Sequence, residues 1–195
     1  VRDDLARDDA RLGAVRVLVH AVEGLDLRVA HLDLADRLVL PGGDLQLLAE
    51  VLAEGLVRVA GAADEAQGRI THVRQAILAT PAADLGLVVE ADDLKQRLDQ
   101  ILLILRGDRT LRKYGEPAPS SIRSRVSRIL YSQSSVTSAP TQTQRDAYGQ
   151  AGEEFIGVLS DLRTLMEEDL AKLEEKLEAV EAPWTPGRIP RWEVE

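Results

Sequence analysis

A chain of 195 residues with 45% apolar content suffices for one packed domain and is too apolar to stay disordered. Aromatic residues make up only 3%, so the core must be built from Leu, Val, Ala and Ile, which suits helices packed on helices better than a β-sandwich. The absence of cysteine excludes disulfides, thiolate metal ligands and cysteine nucleophiles, and no apolar run approaches the roughly 20 residues a membrane helix needs.

The net charge of -9 is unevenly spread. Residues 1–69 hold 8 basic and 13 acidic side chains, residues 70–140 hold 10 and 7, and residues 141–195 hold 6 and 13. A basic middle between acidic ends suits a bundle that pairs its own segments, and it argues against a dedicated nucleic-acid protein with an uncompensated basic face. Composition also breaks near residue 69. Before it only ten residue types occur, all encodable by codons beginning with G or C; Ser, Thr, Ile, Lys and every aromatic are missing. Two origins account for this: part of the segment is a GC-rich gene read in a shifted frame, or the gene is in frame and strongly biased.

In chain order, residues 3–12 suit a turn or two of helix. Val15, Val17 and Val19, then Leu25, Leu27 and Val29, alternate around Glu23–Gly24 as two short strands would, although the same composition also suits helix. Pro41–Gly42–Gly43 is a breaker and Asp44 a candidate N-cap. The spacing of Leu48, Val51, Leu52, Val59, Ala62, Ala66, Ile70, Val73 and Ile77 predicts a helix. Gly55, Gly61 and Gly68 weaken it or mark close helix approach. Thr80–Pro81 is a boundary at which Thr80 caps the next helix, which carries Leu94, Leu98, Ile101, Leu102 and Leu105 to a C′ residue at Gly107.

Glu116-Pro-Ala-Pro119 must lie between elements. Ser120 or Ser121 then caps a short helix with Ile122, Val126, Ile129 and Leu130 on one face and Arg123, Arg125 and Arg128 on the other, followed by a Ser/Thr-rich loop over 132–140. Thr141 with Gln144 forms a T-x-x-Q capping box. The last helix has a seam of Phe155, Leu159, Leu162, Met166, Leu170, Leu173, Leu177 and Val180, and must end at Pro183. Two tryptophans in the Pro-rich tail suggest that it packs back on the bundle. The fold class expected is therefore mainly α: an N-terminal segment 1–43 that is a short β remnant or off-frame sequence, an antiparallel helical bundle over 44–182, and an extended tail over 183–195.

Motifs for chemistry are sparse. His20, His31 and His72 are scattered, without metal-ligand spacing, and neither a nucleophile elbow nor a phosphate-binding glycine loop occurs. Asp92–Asp93, Glu153–Glu154, Glu167–Glu168–Asp169 and Glu174–Glu175 are adjacent acids that point different ways on a helix and are expected to face water rather than one another across a cleft. Arg106, Arg109, Arg112, Lys113, Arg123, Arg125 and Arg128 form the candidate anion-binding patch; pairing with the acidic last helix is the competing expectation. No cofactor or metal is expected.

Several stretches carry a family resemblance: Gln67-Gly-Arg-Ile70 leading to Arg74-Gln-Ala-Ile77, Leu105-Arg-Gly-Asp-Arg-Thr-Leu111, Glu116-Pro-Ala-Pro-Ser-Ser-Ile122, Ala139-Pro-Thr-Gln-Thr-Gln-Arg145 and Ala182-Pro-Trp-Thr-Pro-Gly-Arg188. In these, the block from Ala66 to Trp192 resembles the C-terminal helical region of bacterial sortilin-like β-propeller proteins described as glycosyl hydrolases with BNR (Asp-box) repeats. The resemblance implies a propeller and a small β-sandwich ahead of a helical tail, with any hydrolase chemistry in the propeller and no catalytic residue to carry over. Asp26-Leu-Arg28 stands where that family has Asp-Pro-Arg. The expectation is a non-catalytic structural or interaction domain whose partner is its own propeller or a second copy, secreted or periplasmic like the family. The alternative is a freestanding helical binding protein using the basic 106–128 patch on an anionic partner or nucleic acid.

Overall fold

A computed structural model describes residues 45–134, 139–183 and 185. The expected N-terminal elements, the Asp44 cap, residues 135–138 and most of the Trp-containing tail lie outside the described residues; the loop expected over 132–140 starts later than expected, because the helix before it continues through Ser134. Those described are mostly helical, with no strand among them. In chain order the helices are α1 (Leu45–Ala79), α2 (Gly86–Arg106), α3 (Arg109–Lys113), α4 (Ile122–Ser134), α5 (Gln142–Arg163) and α6 (Leu170–Ala179), with a π-helical turn at Thr164–Asp169 joining the last two. The expected mainly α helical bundle is what the structure shows.

The apolar positions repeat at alternating steps of four and three. In α1, Leu45, Ala49, Leu52, Leu56, Val59, Ala63, Ala66, Ile70, Val73 and Ile77 are each no more than 5% exposed. In α2 the same steps link Leu87, Ala91, Leu94, Leu98, Ile101 and Leu105, and in α4 Ile122, Val126 and Ile129, all buried. This is the heptad spacing of knobs-into-holes packing. Leu48, Val51 and Ala62, expected on the stripe of α1, are only half-buried and flank it, while Ala49 and Ala63 take the seam. The four-and-three register of α1 continues across residue 69. Gly61 and Gly68 do not mark close approach, because a Cβ added at either would meet nothing within 4 Å.

The chain divides into two compact units. The first contains residues 45–59 and 103–159. Here α4 and α5 run antiparallel: Arg125 pairs with Glu154, and Gln133 Nε2 donates to Gln144 Oε1 at 3.0 Å. The capping box forms as expected, with Thr141 N donating to Gln144 Oε1 at 2.8 Å and Gln144 N donating to Thr141 Oγ1 at 3.3 Å. Gln144 Nε2 also donates to Ser132 Oγ at 2.7 Å, so the cap of α5 holds the end of α4. Ser121 rather than Ser120 caps α4, accepting from Ser124 N at 3.2 Å. Gly107, at φ 79, closes α2 by donating to Leu103 O, and Asp108 then caps α3.

The second unit contains residues 60–102 and 160–185 among those described. The α1–α2 turn is capped differently from expectation. Thr80 Oγ1 donates back to Ala76 O at 2.8 Å, and it is Asp84 Oδ1 that accepts from Gly86 N at 2.9 Å. The reason is spacing: α2 begins six residues after Thr80, beyond the reach of a cap. The seam of the last helix also shifts. Ala151, Phe155, Val158, Leu162 and Leu165 are buried, but the next core residue is Leu170, five positions on. The π turn absorbs the extra residue, with Leu170 N–H donating to Leu165 O. Leu165 therefore takes the core position expected of Met166, which is half-buried, as is Val180. A regular helix would put the Asp169 carboxylate where Leu170 sits, at a cost of several kcal/mol in desolvation.

α6 ends at Ala179, ahead of Pro183, in a Schellman motif: Ala182 N donates to Leu177 O and Glu181 N to Glu178 O, both at 3.0 Å. Glu181 occupies the left-handed C′ position at φ 52, where a side chain costs about 1 kcal/mol. Glu181→Gly should raise unfolding stability by about 1 kcal/mol in urea melts, whereas Gly107→Ala, at φ 79 with Arg112 and Ser121 atoms 3.1–3.3 Å from its Cβ, should lower it by 1–2 kcal/mol, roughly.

Tyr148 lies on the seam side of α5, and burial raises its phenol pKa from 10.0 to about 12. The folded state thus holds this proton more tightly than the unfolded chain. The stability is fully present below pH 10.0 and is lost as pH rises toward about 12. Spectrophotometric titration should show a tyrosinate step near pH 12 that Tyr148→Phe removes.

Candidate interaction surface

The polar residues flanking the seams tie the helices of the second unit together. Arg69 of α1 donates to both carboxylate oxygens of Glu174 on α6, at 2.9–3.2 Å. Arg74 of α1 reaches Asp92 of α2 at 2.8 Å. α2 in turn binds the last helical segment twice, through Glu90–Lys176 at 2.6 Å and Arg97–Asp169 at 2.6 Å. Each partner moves by seven residues between these two bridges, in opposite directions. α2 and α6 are therefore antiparallel, with ion pairs one heptad, or about 10 Å, apart.

The adjacent acids do not simply face water. Asp92, Glu154, Asp169 and Glu174 each bridge to another helix. Consecutive residues are about 100° apart around a helix, so only one member of a pair reaches a neighbour. Asp93, Glu153 and Glu175 remain exposed.

The seven residues of the basic patch are differently engaged. Arg106, Arg109, Arg112, Lys113, Arg123, Arg125 and Arg128 all belong to the first unit. Arg125 pairs with Glu154, Arg112 donates to Arg106 O at 2.7 Å, and Lys113 lies 5.8 Å from the Tyr114 ring centre. Arg109, Arg123 and Arg128 are exposed and make no ion pair with described residues. Arg123 and Arg128, five residues apart on α4, point about 140° away from each other. Of the histidines, His72 is exposed on α1, and His20 and His31 lie outside the described residues. Among the described residues no three His, Asp or Glu side chains are grouped to hold a metal.

Charge is divided between the units. Within 60–102 and 160–185 there are fifteen Asp and Glu against seven Lys and Arg, while the first unit holds seven acids and nine bases among its described residues. Most of the acid of the last helix thus belongs to a different unit from the basic patch, and Arg125–Glu154 realises the expected pairing at one residue.

The second unit also exposes apolar side chains that the sequence reading did not single out. Leu78 is 61% exposed, Leu85 76% and Val89 61%, all around the α1–α2 turn. Leu85 and Val89 stand one helical turn apart and form one strip. A separate, open groove of about 600 Å³ runs between α2 and the last helical segment, lined mainly by the charged side chains of Glu90, Asp93, Lys172, Glu175 and Lys176. No helix among the described residues is long and apolar enough to cross a membrane. Comparison with protein-family models, with curated proteins and with solved structures returns no match.

Glu174→Ala would leave the Arg69 guanidinium, 17% exposed, without its partner, and should cost about 2–3 kcal/mol in denaturant unfolding. The double variant Arg69→Met/Glu174→Leu should recover most of that loss, because apolar packing replaces an ion pair that is costly to desolvate.

Proposed function

We propose that this chain is a non-catalytic helical interaction domain, akin to the C-terminal helical region of sortilin-like BNR-repeat propeller proteins. The observation that carries the reading is the exposure of Leu78, Leu85 and Val89 around the turn of a helical hairpin whose heptad core is already filled. Apolar side chains gathered at a rigid hairpin tip lower their free energy by burial against a partner. The resemblance suggests a propeller of the same protein, or a second copy, as that partner. A second reading rests on Arg109, Arg123 and Arg128, exposed and without an ion pair to described residues, which would serve an anionic partner.

The two readings separate on salt. The full chain should bind a purified sortilin-like propeller, or itself, in sedimentation experiments that change little with ionic strength, and Leu85→Glu should weaken that contact about tenfold. Binding instead to duplex DNA, with a steep salt dependence that Arg123→Ala/Arg128→Ala flattens, would select the anionic reading.

A further inference from the structure

The α1–α2 turn differs from the rest of its unit in charge as well as in exposure. Residues 75–89 hold a single charged side chain, Asp84, in a chain that is 29% charged. That carboxylate is used locally, accepting from Gly86 N at 2.9 Å. Arg74, which borders the stretch, is held by Asp92 at 2.8 Å. The unit as a whole has fifteen acids against seven bases. On this nearly neutral ground Leu78, Leu85 and Val89 are 61%, 76% and 61% exposed, and Pro81, Ala82 and Gly86 among them are exposed too.

We propose that the α1–α2 turn is a self-association surface, on which a second copy of this chain packs tip against tip about a twofold axis. The proposal rests on the interaction-domain reading and names the partner of the surface that carries it. In a twofold contact each patch faces its own equal, so a net charge on the patch meets the same charge. An acidic surface therefore repels a second copy, and a neutral apolar one accepts it. A basic partner would find only Asp84 on this stretch, and an anionic partner only Arg74, which Asp92 already engages. Leu78, Leu85 and Val89 of one copy would lie against the same three residues of the other, so aliphatic surface leaves water on both sides at once. So few side chains make a small interface, which fits a weak, reversible dimer with a Kd on the order of 100 μM rather than an obligate one.

The test uses the full chain, which has no cysteine of its own, so that one introduced thiol reports on one position. Sedimentation equilibrium from about 10 μM to 1 mM should show a monomer–dimer equilibrium that changes little with salt. Leu85→Glu should weaken it about tenfold or more, because the two glutamates would be buried together. Val57→Glu, at a position 73% exposed in the first unit, should leave it within about twofold. Under mild oxidation Leu85→Cys should give a disulfide-linked dimer far faster than Val57→Cys, since only the former is held near its own copy. A monomer at every concentration, equal losses in the two glutamate variants, or equal rates of cross-linking would overturn the proposal. So would a monomer that binds phosphatidylcholine vesicles through Leu85, which would make a bilayer the partner. Should the chain stay monomeric while Leu85→Glu still weakens a propeller contact, the interaction domain stands and the self-association falls. Circular dichroism of each variant confirms that these exposed substitutions leave the fold intact.

Discussion

The structure depends on a mismatch between two periods. An α-helix turns once in about 3.6 residues, while a seam that stays buried against a neighbour along its whole length repeats every 3.5, roughly. Each long helix here meets that constraint by placing an apolar residue at alternating steps of four and three. α1 sustains ten such positions without a fault. Where the rule lapses, between Leu165 and Leu170, the backbone changes instead. One π turn takes up the surplus residue, and the core continues with Leu170, Leu173 and Leu177.

The same constraint decides what the charges do. With two positions in seven committed to the core, the residues beside them are the ones within reach of the next helix, and four of the adjacent-acid clusters use one member there. Arg69 and Glu174 are the most enclosed of these pairs, with side chains 17% and 11% exposed. Pairs nearer the surface, such as Lys95–Asp99 within α2, stand half in water and contribute only a few tenths of a kcal/mol. Interhelical register is thus set by apolar steps first and by the enclosed Arg–Glu pair second.

Function follows from what remains after the core and its flanks are satisfied. Of the basic 106–128 stretch, Arg125 is drawn into a pair with Glu154, and Arg123 and Arg128 diverge around α4. The hairpin tip of the second unit keeps Leu78, Leu85 and Val89 in water. The composition break at residue 69 leaves no trace in the seam of α1, of whose ten positions seven precede it and three follow.

Much of this was legible in the residues alone. Helix existence, the Gly107 terminus, the Thr141–Gln144 box and the prolines at 117 and 119 depend on contacts within a few positions along the chain, and local physics decides them. The sequence could not say that Met166 would yield to Leu165, because an insertion shows only when the seam before it and the seam after it face the same neighbour. Nor could it choose between Asp92 and Asp93, or between Glu174 and Glu175, since adjacent acids differ by about 100° and only the neighbouring helix defines which angle is inward. The exposed strip of Leu85 and Val89 was hidden for the same reason: an apolar residue off the seam is indistinguishable from one on a second seam until the tertiary structure shows that no described residue of its own unit covers it.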